Sequence, residues 1–344
     1  MRNALVVALA LVARAASAQE EPEPLKTFAE YEAAHAFDCN GPLAELPAAE
    51  LVEHGGFKYE LLGSTVRARR AAGGARGPVR IGVLSGIKDL EPETKEAHEG
   101  FFAEMKKQQV SAVIIGGDAA EAPDDLEKVY AFLVTQTDVP LLAIAGNSER
   151  GGAHHYAIRK AREGHPNLLD LNIVRRFDGE GFDVVSLGGY YDKRFMRMAG
   201  GCTYSAADVA AVQDAAKQCD DPVIFLAHGP PRQSGQKAID YVPEAGNVGD
   251  AELTQAIITA KIPFGVFGHI LEAGGKASDL KGNPLLENKL FKALYLNPGP
   301  ANPLPWKLNS GQTSYGLAAV LTIEGKQAKY QLLKAPKKAP PPAE

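Results

Sequence analysis

From Val79 onward, short uninterrupted apolar runs alternate with amphipathic stretches. The first run, Val79–Leu84 (VRIGVL), predicts a strand, and the residues after it a helix reaching Gln109. Residues 111–115 (SAVII) and 139–144 (VPLLAI) predict two further strands, separated by a helix over 122–136. Strands are also expected at 183–187, 222–226, 263–267 and 293–296, with a helix over 205–218 and a closing hairpin of 315–323 and 327–333 turning at Gly325. Strands that are apolar on both faces and alternate with helices imply a mainly parallel sheet covered by helices. The closing hairpin adds antiparallel strands, so the sheets are mixed and the class is α/β. No internal repeat shows.

Upstream the pattern changes. Residues 1–18 read as a secretory signal: Arg2 is the positive start, residues 4–13 (ALVVALALVA) the apolar stretch, and Ala16-Ser17-Ala18 the small-residue cleavage triplet. Ten apolar residues are too few to span a bilayer, and no other run is longer, so no membrane span is expected. Residues 19–78 form a pre-domain and linker: an acidic, proline-broken leader at 19–24, a helical stretch near 28–37, a hairpin at 57–66, and a boundary at 73–78 (GGARGP). Residues 79–333 form the main domain, and 334–344 (KAPKKAPPPAE) are a Pro/Lys tail that cannot bury a face. The mature chain is expected to be exported, periplasmic or secreted.

Charge narrows the partners. The chain carries 37 Lys+Arg against 42 Asp+Glu; losing Arg2 and Arg14 with the signal leaves a mild negative balance. That argues against nucleic acid, which asks for a concentrated basic face. The one basic cluster, Arg67, Arg69, Arg70, Arg76 and Arg80, lies in a Gly/Ala-rich stretch and reads as a solvated linker. An exported chain can form a disulfide from Cys39, Cys202 and Cys219. Cys202 and Cys219 flank the 205–218 helix, about 20 Å long at 1.5 Å per residue, whereas a disulfide needs Cα atoms within about 7 Å. Cys39 is therefore expected to be one partner, with one thiol left over.

The chemistry-bearing residues fall directly after apolar strands: Gly117-Asp118, Gly146-Asn147, His228-Gly229-Pro230-Pro231 and Gly268-His269. In open α/β sheets ligands bind beyond the carboxyl ends of the strands. Asp118, Asn147, His228 and His269, delivered there by four strands, would converge. A carboxylate, an amide oxygen and two neutral imidazoles suit Zn, Mn or Fe.

In this order, GGD (116–118), GN (146–147), HGPP (228–231) and GH (268–269), the chain resembles the calcineurin-like metallophosphoesterases, whose blocks run D-x-H, G-D, G-N-H-[DE], H and G-H-x-H. Asn297-Pro298-Gly299 and the closing hairpin also fit, so the resemblance spans 79–333. It implies a four-layer α-β-β-α sandwich of two mixed sheets, with two metals bridged by the Asp, and a hydrolase acting on phosphoric esters.

The departures from that pattern segregate. Where the family has D-x-H, this chain reads Gly86-Ile87-Lys88; where it has G-N-H-E, Gly146-Asn147-Ser148-Glu149; where it has G-H-x-H, Gly268-His269-Ile270-Leu271. Positions 86, 88 and 271 serve the first metal in the family. Asp118, Asn147, His228 and His269 are the full protein set of the second. The resemblance therefore implies one divalent ion, with Asp118, Asn147, His228 and Lys88 as the catalytic candidates. Lys88 either replaces the lost ion's charge, by pairing with Asp118 or contacting substrate, or swings out to solvent. Asp89 is a conceivable substitute ligand. His154 and His155 are candidates to replace the family's general acid at 148, although capping and surface exposure is the commoner role at a helix start. Glu149 keeps the acidic position that orients the loop. Residues 188–203, with Tyr190, Tyr191, Lys193, Arg194 and Arg197, and 232–249 are the candidate pocket walls. Three readings follow: a phosphoester hydrolase with a mononuclear site; a catalytically impaired relative that binds a small phosphorylated or other anionic ligand in the same pocket, or only holds a metal structurally; and a purely structural envelope protein, which leaves the four strand-end residues unexplained.

Overall fold

The computed structural model describes residues 27–43, 50–74 and 77–335. The expected signal, the 19–24 leader and the tail beyond Ala335 lie outside them, as does Arg76.

Two mixed sheets stack face to face. One has six strands in the order Gln327–Lys334, Leu317–Glu324, Val79–Leu84, Ala112–Ile115, Leu141–Ala143 and Leu168–Asp170; the last four run parallel. The other has ten, and its centre is the parallel set Asp183–Leu187, Val223–Ala227, Phe264–Phe267 and Leu294–Asn297. Alternate side chains of each strand face opposite sides, and both sides find a core. Ile81, Val83, Ile114 and Leu142 meet Val184, Ile224, Leu226 and Val266 between the sheets. Their neighbours Val113, Ile115 and Leu141 face outward under the helices Pro92–Lys107, Pro123–Leu133 and Gly151–Arg162. On the far side Val185, Phe225 and Phe267 pack under Ala206–Lys217 and Ala251–Ala260. Each such fully buried side chain contributes about 1.5–3 kcal/mol. This is the four-layer α-β-β-α sandwich expected, and two-sided burial is why the strands carry no polar alternation. No helix among the described residues is long and apolar enough to cross a membrane.

Several expectations need correction. The basic cluster is not a linker. Arg67 and Arg69 lie on the strand Thr65–Arg70, and both reach the Asp178 carboxylate, while Arg70 pairs with Glu180 and lies over the Phe57 ring. That strand closes a meander with Glu50–His54 and Phe57–Leu62, which extends the ten-stranded sheet through parallel pairing with Arg176–Asp178. The short strands Leu168–Asp170 and Arg176–Asp178 carried too few residues for a pattern to show.

The first helix, Phe28–Ala34, leads into a segment pinned by non-local bonds. Asn172 Nδ2 donates to Cys39 O (2.6 Å), Asn40 Oδ1 accepts from Gly188 N (2.8 Å), and the buried Arg175 donates to Gly41 O (3.0 Å) and Ser186 O (3.1 Å). Burial pushes the Arg175 guanidinium down to about 10. This anchoring brings Cys39 to Cys202, with Cα atoms 5.1 Å apart, in a disulfide; Cys219 is the thiol left over.

Candidate active site

Four strand ends meet at one edge of the sandwich. Asp118 follows Ala112–Ile115 and Asn147 follows Leu141–Ala143, both in the six-stranded sheet. His228 follows Val223–Ala227 and His269 follows Phe264–Phe267, both in the ten-stranded sheet. The two sheets thus contribute two side chains each, facing across the seam between them. Close approach needs glycine here: a Cβ on Gly117 (φ +86°) would stand 2.6 Å from His228 Nδ1, and one on Gly146 2.7 Å from His228 Cε1. Among the described residues six non-glycines have positive φ, and Lys88, Asp118 and His269 are three of them. Backbone strain of this kind, on the order of 1–3 kcal/mol per residue, is kept where the surroundings over-determine it.

The hydrogen bonds assign the atoms. His228 Nδ1 lies 2.9 Å from Gly116 O and must donate to it, which leaves the lone pair on Nε2. Asn147 Nδ2 donates to Phe195 O at 2.6 Å, so Oδ1 is the atom turned inward. That oxygen lies 2.9 Å from both His228 Nε2 and His269 Nδ1, which are 3.2 Å from each other. Asp118 Oδ1 lies 3.4 Å from His228 Nε2. With both imidazoles in the neutral form that a ligand requires, His228 Nε2 carries no proton and the one N–H on His269 can serve one neighbour only. Four donor atoms therefore converge with too few protons to satisfy every pair. A cation would resolve this: donors about 2.0–2.2 Å from an ion sit roughly 3.0–3.4 Å apart, within a few tenths of an ångström of the spacings here. Counting His, Cys, Asp and Glu alone, no group of three or more among the described residues could hold an ion. The fit depends on the amide oxygen of Asn147 as a ligand and on how Asp118 divides itself between the ion and Lys88.

Lys88 turns inward. Its Nζ donates to Asp118 Oδ2 in a short contact and stands 3.3 Å from Ser148 Oγ, while Ser148 N donates to Asp118 Oδ1 at 3.1 Å. Burial alone would raise the Asp118 carboxyl, but His228 and Lys88 outweigh it and hold the group well below the usual carboxylate range. Burial, then His228, pushes the His269 ring down to about 3. Both imidazole and carboxylate are thus in ligating protonation states at neutral pH.

Glu149 is fully buried and orients the loops: its carboxylate accepts from Ala119 N and from Gly146 N (2.7 Å), tying the turn after Asp118 to the turn before Asn147. Burial and then the Asp118 charge push its carboxyl upward. Asp89 does not turn in. Its carboxylate accepts from Thr94 Oγ1, Glu91 N (3.1 Å) and Asn302 Nδ2 (2.7 Å), at the start of the helix Pro92–Lys107. His154 and His155 are neither surface caps nor replacement acids. Both are buried on the inner face of Gly151–Arg162, where His155 Nδ1 meets Asp170 Oδ2 at 3.2 Å and His154 Nδ1 meets the Tyr130 hydroxyl at 3.1 Å. The Asp170 carboxylate and the Tyr130 hydroxyl receive the two rings on that face.

A cleft of about 670 Å³ opens over the four donors, with Lys88, Asp118, Asn147 and His269 at its floor. Both expected loops wall it: Tyr190, Arg194, Phe195 and Arg197 from one, Val242 and Val248 from the other. The Tyr190 ring lies on His269, centroids 3.9 Å apart. Trp306, on the small hairpin Trp306–Lys307 with Thr313–Ser314, is a wall residue the sequence did not signal.

A family model described as calcineurin-like phosphoesterase matches residues 85–272, more than half of the chain. The chain belongs to the calcineurin-like phosphoesterases. By family it is a phosphoric ester hydrolase that depends on a divalent metal. Among solved structures, one superposes with a TM-score of 0.56 at 15% identity, covering 75% of this chain and 100% of its own. The protein TT1561 of Thermus thermophilus is similar with a TM-score of 0.50 at 15% identity, over 74% of this chain and 98% of that one. A dimetal phosphatase from Danio rerio has a TM-score of 0.48 at 12% identity, over 76% of this chain and 100% of that one. At these identities the likeness is one of fold. No curated protein sequence is a significant match.

Proposed function

We propose that this calcineurin-like phosphoesterase is an exported hydrolase of small phosphoric esters that works through one divalent ion. Asp118, Asn147, His228 and His269 would hold the ion. The observation that carries this reading is the ammonium of Lys88 on Asp118 Oδ2: the carboxylate oxygen that would face a second ion already faces a fixed positive charge. Gly86 and Leu271 offer no ligand beside it. A bound divalent ion would polarise a phosphoryl oxygen and lower the pKa of a water. Asn147, held by Phe195 O, and His228, held by Gly116 O, keep their donor atoms aimed inward before any ligand arrives. Lys88 would share its protons between Asp118 and a substrate oxygen, and excess negative charge on the phosphoryl group would strengthen that contact.

One observation favours the alternative, a relative that binds a phosphorylated or anionic ligand without efficient turnover. Ser148 occupies the position of the family's acid, and its hydroxyl is buried against Lys88. A serine hydroxyl cannot protonate a leaving oxygen near neutral pH.

Elemental analysis of the purified protein is expected to return about one divalent ion per chain, falling to background in His228→Ala combined with His269→Ala. Two equivalents, or occupancy unchanged in that double variant, would overturn the assignment. Turnover of an aryl phosphate with added Mn or Zn separates the hydrolase from the binding protein.

Export rests on residues 1–18, and the disulfide is consistent with an oxidising compartment. N-terminal sequencing of material from the cell envelope is expected to begin at Gln19. A chain beginning at Met1 there would refute the signal.

A further inference from the structure

The cleft changes character from floor to mouth. Its floor is charged, with Asp118 and Asn147 buried, whereas Phe195 and Trp306 on its walls are 48% and 41% exposed. Nine large hydrophobic side chains among the described residues are exposed, and these are the two that line this cleft. Among the described residues only Arg194 lies over the Phe195 ring, 6.0 Å from its centroid, so both rings keep apolar surface that a ligand gains by covering. Phe195 is well fixed for the purpose. Its carbonyl holds Asn147, and its ring stands edge-on to Tyr190 and His269, with centroids 6.1 and 6.3 Å away. Arg194 is tied up by Asp192 through two or more contacts. Arg197 is held less tightly, with Nε 3.9 Å from Glu121 Oε1, and its backbone N–H donates to Asn147 O at 3.2 Å.

We infer that the preferred ligand is a phosphomonoester whose alcohol carries a planar aromatic group, with the phosphoryl group at Lys88 and the donor cluster and the aromatic plane against Phe195 and Trp306. This rests on the phosphoester reading of the floor and adds the class of leaving group. A cleft of this volume has room for a nucleoside monophosphate or an aryl phosphate. Stacking on an exposed aromatic ring depends on the ligand's π-face more than on its identity, so both sources share the chemistry.

Trp306 is the only tryptophan in the chain, and it supplies a readout that does not depend on turnover. The probes are inorganic phosphate and the non-hydrolysable phosphonate analogues of AMP, phosphotyrosine and ribose 5-phosphate. They would be titrated into the full-length mature protein with its metal, followed by Trp306 fluorescence and by calorimetry. The AMP or the phosphotyrosine analogue is expected to change the fluorescence and to bind about tenfold or more tightly than the ribose analogue; which of the two binds more tightly identifies the source. Trp306→Leu, followed by calorimetry, should remove most of that advantage and leave the affinity for inorganic phosphate unchanged, since Trp306 lines the wall of the cleft and not its floor. Equal affinities for all three analogues, with inorganic phosphate still bound, would overturn the aromatic preference alone. Equal losses for every probe in Trp306→Leu would do the same. If inorganic phosphate does not bind at all, the floor is not a phosphoryl site and both readings fall.

Discussion

Lys88→Ala weakens binding of inorganic phosphate by about ten- to a hundredfold and leaves the metal content unchanged. The basis is the position of the ammonium, on Asp118 Oδ2 and at the floor of the cleft. A hydrogen bond to a charged group contributes roughly 1.5–3 kcal/mol, and this one lies where solvent competes poorly, with the lysine side chain 22% exposed. Lys88→Met keeps the apolar stem and loses the charge, so it should behave like alanine. The four donor atoms do not include Lys88, which is why the ion should stay. Calorimetry with metal bound is the measurement, and an unchanged phosphate affinity in both variants would make Lys88 a bystander. The converse experiment rebuilds the family's missing ligands with Gly86→Asp, Lys88→His and Leu271→His together. Gly86 has φ +65°, and a Cβ there would stand 3.1 Å from Leu271 Cδ2; aspartate tolerates the left-handed region better than most residues, and the third substitution removes that methyl group. A second equivalent of metal and a rise in phosphatase activity are expected. One equivalent and no gain would mean that the crevice cannot accept a second ion.

Replacing Cys39 and Cys202 together by serine should lower the stability by about 2–5 kcal/mol, because the bridge closes a sequence separation of 163 residues. For a chain of this length that is a fall of roughly 3–8 °C in Tm. The loss should also reach the site. Cys202 O accepts from Tyr190 N at 3.0 Å, and Cys202 N donates to Glu149 O at 3.3 Å, so the bridge anchors the loop that carries Tyr190, Phe195 and Arg197. Substrate affinity should fall while the metal content holds. Thermal unfolding of the double variant against the parent, with and without reductant, reads the first effect. A reductant-insensitive Tm equal in both proteins would show that the bridge is not formed in solution.

The cysteines show where sequence reasoning stops. Helix length alone excluded the pair Cys202 and Cys219, and that exclusion holds. Which thiol Cys39 meets depends on Asn40, Asn172 and Arg175 holding residues 39–41 against the sheet, contacts made across more than 130 positions. The arginines at 67–70 misled for a similar reason. Their composition resembles a solvated linker, and it is pairing with Phe57–Leu62 and Arg176–Asp178, with Asp178 and Glu180 more than a hundred residues away receiving the side chains, that places them on a strand. His154 and His155 carry no local sign of burial either, because the carboxylate that receives His155 comes from Asp170 on a three-residue strand.

By itself the sequence pattern determined the main strands, the helices between them and the four side chains at the strand ends, while the four-layer arrangement was implied by the family resemblance. The strands, helices and side chains follow from local rules: apolar runs of strand length, helical spacing between them, and a polar residue with a glycine beside it where each strand stops. Tertiary structure decided which way the ambiguous groups turn. Lys88 faces Asp118 because the turns at 86–88 and 117–118 are bonded to each other, Gly86 N to Gly117 O at 3.0 Å and Lys88 N to Asp118 O at 3.2 Å. Asp89 faces away because Thr94 and Asn302 take its oxygens. Trp306 joins the cleft through a hairpin whose strands are two residues each, too short for a periodicity to read. Local pattern sets which segments are strands or helices, since that depends on a residue's near neighbours. Side-chain direction depends on partners brought in from elsewhere in the chain, and those exist only once the sheets have met.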